Sequence, residues 1–237
     1  TDFLGFNGIE SAETISDVRR NANKRTRQGF MGRLRFNHND KYLITITSRY
    51  DGSSVFSEYK KYGFFPSVAL GWKINKEKYF DEISDINQLK LRLSYGSIGN
   101  EAINPYQSLG LASPTFYAFD GQTYIGYGPT NSLHNPNLSW ETSTTFNIGI
   151  DFGFFNNRLT GTVEYYDTKT TDVLVNRRVN APGYTTTTYN AGETNNSGLE
   201  TLISYDIIRN KEVSWNLTAN FSSNKEKIVS LLSLIHI

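Results

Sequence analysis

The sequence has no cysteine among its 237 residues, which excludes a disulfide scaffold, a thiolate metal site and a cysteine nucleophile. It has no apolar run near the roughly 18–20 residues of a membrane helix, so a helical membrane protein is excluded. Neither charge sign is in excess: 24 Lys and Arg against 23 Asp and Glu leave +1, without the basic surplus of nucleic-acid binding. Histidine is scarce, and His38, His134 and His236 lie far apart, as exposed polar residues would. No HExxH pair, GxSxG elbow or GxxxxGK phosphate loop occurs. Asp51-Gly52-Ser53-Ser54 lacks EF-hand spacing and reads as a turn, and Asp81 and Glu82 lie in a charged linker. The reading is therefore no enzyme, no metal and no cofactor. Thr1-Asp2-Phe3-Leu4-Gly5, with no basic start before an apolar stretch, does not read as a signal peptide, so the expectation is either a removed leader or an internal fragment.

What the chain does have is aromatic residues, with 15 Tyr, 15 Phe and 3 Trp against only 6 Pro, a balance that favours strands. Period-2 alternation predicts eight of them, at about 28–38, 41–50, 63–73, 88–97, 140–154, 158–168, 198–208 and 213–223. In the fourth, Leu89, Leu91, Leu93 and Tyr95 alternate with Lys90, Arg92, Ser94 and Gly96. In the seventh, Leu199, Ile203, Tyr205 and Ile207 share the apolar face. Only 77–88 invites a short helix, and Thr185–Thr188 reads as an exposed loop strand.

The links between these strands sort by length. Asn37–Asp40, Phe155–Arg158 and Arg209–Glu212 are tight polar hairpins, and 74–87 is a medium link on the same end. Links at about 51–62, 98–139 and 169–197 are long. Short turns at one end of a sheet and long loops at the other are the pattern of a transmembrane barrel. Tyr42 and Tyr50, Phe64 and Trp72, and Trp215 and Phe221 sit near opposite ends of their strands, as aromatic girdles require. The alternation sends Arg33, Arg35, Arg49, Lys90, Arg92, Asp151, Glu164 and Glu200 to the polar face, which in a large barrel lines the lumen. The long links hold Tyr106, Phe116, Tyr117, Phe119, Tyr124, Tyr127, Tyr184 and Tyr189, aromatic faces that with flanking hydrogen-bonding side chains suit sugars or peptides.

Several stretches, in order, carry a family resemblance. Tyr42–Pro66 with its DGSS turn, Leu89–Tyr106, Asn135–Tyr166, Thr171-Asp172-Val173-Leu174, Tyr189–Glu200 and Trp215–Lys227 resemble SusC/RagA-like TonB-dependent outer-membrane transporters, over about 27–233. The resemblance implies an all-β fold: about eight antiparallel strands of a larger, 22-stranded transmembrane β-barrel in the bacterial outer membrane, an open curved sheet in isolation. It implies import of glycans or other oligomeric nutrients by a Bacteroidetes cell, with an oligosaccharide or peptide as solute. The partners implied are a SusD-like lipoprotein lid, outer-membrane lipid and the TonB complex, the last engaged through regions outside this chain. No plug or TonB box is found, and no nucleic-acid partner is expected. The domain reading is an extracellular loop remnant at 1–27, a partial barrel at 28–224, and the start of the next loop at 225–237 with a non-native tail. The alternative reading is a free-standing small outer-membrane barrel with an adhesive or structural role, since eight strands can close. An outer-membrane protease or acyltransferase is a further rival, but it needs histidine with Asp or Ser near the strand tops.

Overall fold

The structure is a computed structural model that describes residues 22–80 and 85–231. The first four strands are β1 (Arg27–His38), β2 (Tyr42–Ser53), β3 (Tyr62–Lys73) and β4 (Ile86–Asn100). The long link after β4 carries β5 (Ala112–Phe119), β6 (Gln122–Pro129) and β7 (Ser132–Leu133). Then come β8 (Glu141–Phe154) and β9 (Leu159–Thr171), a second long link with β10 (Leu174–Ala181) and β11 (Tyr184–Asn190), and finally β12 (Glu193–Arg209) and β13 (Ser214–Ser230).

Eight strands form one sheet in the order β1-β2-β3-β4-β8-β9-β12-β13, every neighbouring pair antiparallel. Each corresponds to one of the alternating runs. The sheet is open, with β1 and β13 at its edges, which does not fit a free-standing closed ring of eight. Strand β13 continues past residue 224 to Ser230, into the stretch assigned from sequence to the next loop. In place of a helix at 77–88, 3₁₀ turns occupy Ile74–Lys76 and Lys78–Phe80, and β4 begins at Ile86. Residues 81–84 of that stretch, Asp81 and Glu82 included, lie outside the described residues, as do 1–21 and 232–237.

Register keeps one face apolar from strand to strand. Trp72 opposes Leu91, Leu91 opposes Ile150, and Ile150 opposes Val163. A one-residue slip anywhere would exchange the faces of that strand, so the alternation itself fixes the register. At β12 a bulge between Asp206 and Ile208 makes Ile208, rather than Ile207, the partner of Trp215 and so the member of the apolar face.

No second layer covers that face. Leu34 is 73% exposed, Leu217 58% and Phe221 60%. A row of large apolar side chains this open is costly in water and matches a surface made for hydrocarbon. Its rims are aromatic. Tyr42 opposes Trp72 at the short-turn end, and Tyr50 opposes Phe64 at the long-link end. Eight residues separate Tyr42 from Tyr50, about 26 Å along the strand at 3.3 Å per residue. His38 belongs to the lower rim, its ring stacked 6.2 Å from Phe36 and 6.5 Å from Tyr42.

Candidate functional surface

At the centre of the polar face, Arg92 of β4 reaches towards β8 and β9. Its Nε donates to Asp151 at 3.0 Å, and its Nη2 donates to Glu164 at 3.2 Å. Asn147 donates to the other oxygen of Glu164, and Lys90 stands 3.9 Å from Asp151. Arg92, Gly149 and Glu164 lie in line across three strands. The guanidinium crosses close above the central glycine. Along β1 and β2, Arg33 donates to the Thr47 hydroxyl at 3.3 Å, Arg35 opposes Thr45, and Arg49 pairs with Asp51 at 3.0 Å. Glu200 of β12 directly opposes Glu164 and makes no ion pair among the described residues.

At the short-turn end, Glu77 fastens two links together. Its carboxylate accepts from Tyr42 Oη at 2.8 Å, Lys41 Nζ at 3.0 Å and Trp72 Nε1 at 3.0 Å. The Tyr42 hydrogen bond above all, then those of Lys41 and Trp72, hold the Glu77 carboxyl below its usual value.

The opposite end is where the buried residues gather. Val55 and Phe56 from the first long link, Ile103 and Leu138 from the second, form a small apolar core, with Trp140 and Leu174 packed on it. The Trp140 ring lies 5.2 Å from Phe56 and 5.5 Å from Phe65, and its indole donates to the Lys61 carbonyl at 3.0 Å. Polar side chains complete the join. Asn190 accepts from the Ser139 amide and donates to the Ser139 carbonyl, both at 2.8 Å, while Asn135 donates to the Thr188 carbonyl at 2.9 Å. Strand β7 adds a parallel pairing to β11, Thr187 opposite Leu133. The three links therefore form one assembly. The threonine run is not the exposed strand expected from sequence, because Thr187 and Thr188 are buried inside it. Beside this core, Arg27 pairs with the buried Glu101, and a cleft of about 380 Å³ opens between Arg27, Arg49, Asp51, Asn100 and Trp140.

The aromatic residues singled out from sequence divide into two groups. Phe116, Tyr117, Phe119, Tyr124 and Tyr127 all fall on the β5–β6 hairpin and are exposed. Its turn is Asp120-Gly121, both at positive φ (51° and 71°), the geometry of a two-residue primed turn. Tyr117 stacks on Tyr124 at 5.8 Å on one face, while Phe116, Ile125 and Tyr127 occupy the other, so neither face is covered. Tyr106, Tyr184 and Tyr189 instead belong to the folded assembly. Tyr106 accepts a hydrogen bond from the Lys24 amide at 3.0 Å, and Tyr189 opposes Val175 within the β10–β11 hairpin. Sequence reasoning missed Val55, Phe56, Ile103 and Leu138, whose only signal is an isolated apolar residue amid polar link.

Comparison with known proteins agrees with this architecture. A family model described as TonB dependent receptor-like, beta-barrel, matches residues 1–229. The TonB-dependent receptor P26 of Formosa agariphila is 37% identical over 97% of this chain and 23% of its own length. The TonB-dependent receptor SusC of Bacteroides thetaiotaomicron is 37% identical over 89% of this chain and 21% of its own. Among solved structures, the RagAB peptide importer in its closed-closed state superposes with a TM-score of 0.80 at 30% identity, covering 86% of this chain and 22% of that one. The siderophore receptor PirA of Pseudomonas aeruginosa, at 14% identity and a TM-score of 0.55, shares the fold alone. The chain thus spans less than a quarter of the length of the TonB-dependent receptors P26 and SusC, members of a family of outer-membrane proteins. It belongs to the TonB-dependent receptor β-barrel family, as a segment of the barrel wall like those of SusC and RagAB.

Proposed function

We propose that this segment serves an importer of glycans or other oligomeric nutrients across the outer membrane, with a SusD-like lipoprotein as lid and the TonB complex as energy source. In this reading the apolar face meets lipid, the polar face meets the lumen, and the long links face the outside. The lumen set is Arg33, Arg35, Arg49, Lys90, Arg92, Asp151, Glu164 and Glu200. Transport, rather than catalysis, is the activity.

The observation that carries the reading is the β5–β6 hairpin. Among its residues 112–129, Asp120 alone is charged, and Phe116, Phe119 and Tyr127 are 67%, 69% and 77% exposed. A two-stranded hairpin on its own is marginal in water. Exposed aromatic rings beside the hydroxyls of Tyr117, Tyr124 and Tyr127 suit contact with a sugar, a peptide or the lid. Tyr106, Tyr184 and Tyr189 support the base of that surface. An epitope inserted near Gly121 of the full-length protein should bind antibody on intact cells, and one near Asn156 only after permeabilisation. Deleting 112–128 should reduce uptake or lid binding. Unchanged uptake and lid binding would make the hairpin structural, and reversed exposure would overturn the topology.

A further inference from the structure

Charge is confined to one corner of the apolar face. Along β1–β4 and β8 that face presents no Asp, Glu, Lys or Arg among the described residues. On β9, beyond the ring of Tyr165, it turns to Asp167 and Lys169. On β12 it carries Glu193, Asn195 and Ser197, and on β13, past Phe221, it presents Lys225 and Lys227. All five charges stand at the long-link end, just beyond the aromatic rim.

Register brings the three lysines together. Lys169 and Lys227 both oppose Asn195, one from each side, so their backbones lie about 10 Å apart, two strand spacings. Lys225, two residues before Lys227 on the same face, is about 7 Å from it. The two carboxylates are already engaged. Asp167 accepts from the Asn195 side chain at 3.0 Å, and Glu193 pairs with Lys169 at 2.9 Å. Lys225 and Lys227 are exposed and make no ion pair among the described residues. Hydration alone does not call for them, because β1, β4 and β8 pass the rim with uncharged Gln28, Ser97 and Thr144.

We infer that this corner is a docking site for the phosphate of an anionic glycolipid in the outer leaflet. Its position selects a lipid, because the lysines lie on the face that meets the membrane, directly past the aromatic band that marks its interface. Its charge selects an anion, as basic clusters at a membrane surface bind anionic headgroups. Each ammonium rides on a flexible four-carbon stem, so all three can close on one phosphate. A solute in the lumen would not meet them, because the sheet lies between. The inference rests on the barrel reading above, since it needs this face to meet lipid.

The test uses the full-length transporter, delipidated in neutral detergent, with lipid A as the probe and bound lipid counted by native mass spectrometry. Wild type should retain lipid A, and removal of the lipid's phosphates should weaken binding by roughly tenfold. Lys225→Gln and Lys227→Gln should each weaken it roughly threefold, and the triple variant with Lys169→Gln by more than about tenfold. Arginine at the same three positions should preserve binding, as should Lys211→Gln in the turn at the other end of the sheet. Added salt should bring wild type towards the triple variant. Equal binding by wild type and the triple variant, or of lipid A and its dephosphorylated form, would overturn the inference. Displacement of lipid A by millimolar inorganic phosphate at constant ionic strength would also overturn it, since the site would then serve the free ion. So would a triple variant that changes oligomeric state yet holds lipid A as before, since the occupant would then be protein. If the triple variant fails to assemble, the two single variants are read in the same way. The barrel reading fails separately: Leu217→Cys would then react with a water-soluble maleimide in intact bilayers, whatever lipid A does.

Discussion

A Cβ placed on Gly149 would lie 2.9 Å from Nη2 of Arg92, because the guanidinium passes over that glycine to reach Glu164 on the next strand. Gly149→Ala should push the side chain aside and weaken its bonds to Asp151 and Glu164. The expected loss is about 0.2–1 kcal/mol, because Arg92 is a flexible and partly exposed side chain that keeps part of its contacts after shifting. Urea unfolding of the full-length barrel would measure it. In an Arg92→Ala background the same substitution should cost much less, and equal costs in both backgrounds would refute the coupling.

Glu77 gives the short-turn end a dependence on pH. Its carboxyl is held below the usual 4.5, chiefly by the Tyr42 hydroxyl and then by Lys41 and Trp72. A depressed folded-state value means the stabilisation is fully present above the unfolded value and is lost as pH falls through the folded one. Wild type should therefore be more stable than Glu77→Gln at neutral pH. The difference should shrink only below about pH 4.5. A difference that vanished near neutrality instead would assign the effect to another group.

Leu138 is fully buried among Val55, Phe56 and Ile103, which come from two different links. Leu138→Ala should cost about 2–5 kcal/mol locally, as cavities in packed clusters do. Because the cluster also meets Leu174 of the third link, hydrogen exchange should rise together over 54–61, 101–140 and 172–192 while the main strands stay protected. A rise confined to 101–140 would show that the links are independent.

Legibility from sequence followed the physics of each element. The eight sheet strands could be read because each has one apolar and one polar face, and Leu89–Tyr95 alternates without a break. The β5–β6 hairpin escapes the periodicity because Phe116, Tyr117 and Phe119 put aromatic residues on both faces, although Asp120-Gly121 is a hairpin signal. The extended character of the threonine run in β11 is legible, but the burial of Thr187 and Thr188 depends on β7 and on Asn135, contacts remote in sequence. The shift from Ile207 to Ile208 needed the bulge, which no periodicity reveals. Charges on the polar face can be placed by parity, whereas which of them meet across strands, Arg92 with Asp151 and Glu164, depends on the strand order.

The central claim is that one face of this sheet meets lipid and the other an aqueous lumen, and residues 147 and 148 test it most directly. Single cysteines at these two positions in the otherwise cysteine-free sequence of this segment, within the full-length protein in membranes, would be treated with a water-soluble maleimide. Asn147 bonds Glu164 on the polar face, and Ile148 opposes Leu93 and Tyr165 on the apolar one. Position 147 should react once the lumen is open to the reagent, and position 148 should stay unlabelled until the membrane is dissolved. Labelling at 148 but not at 147 in intact membranes would contradict the account.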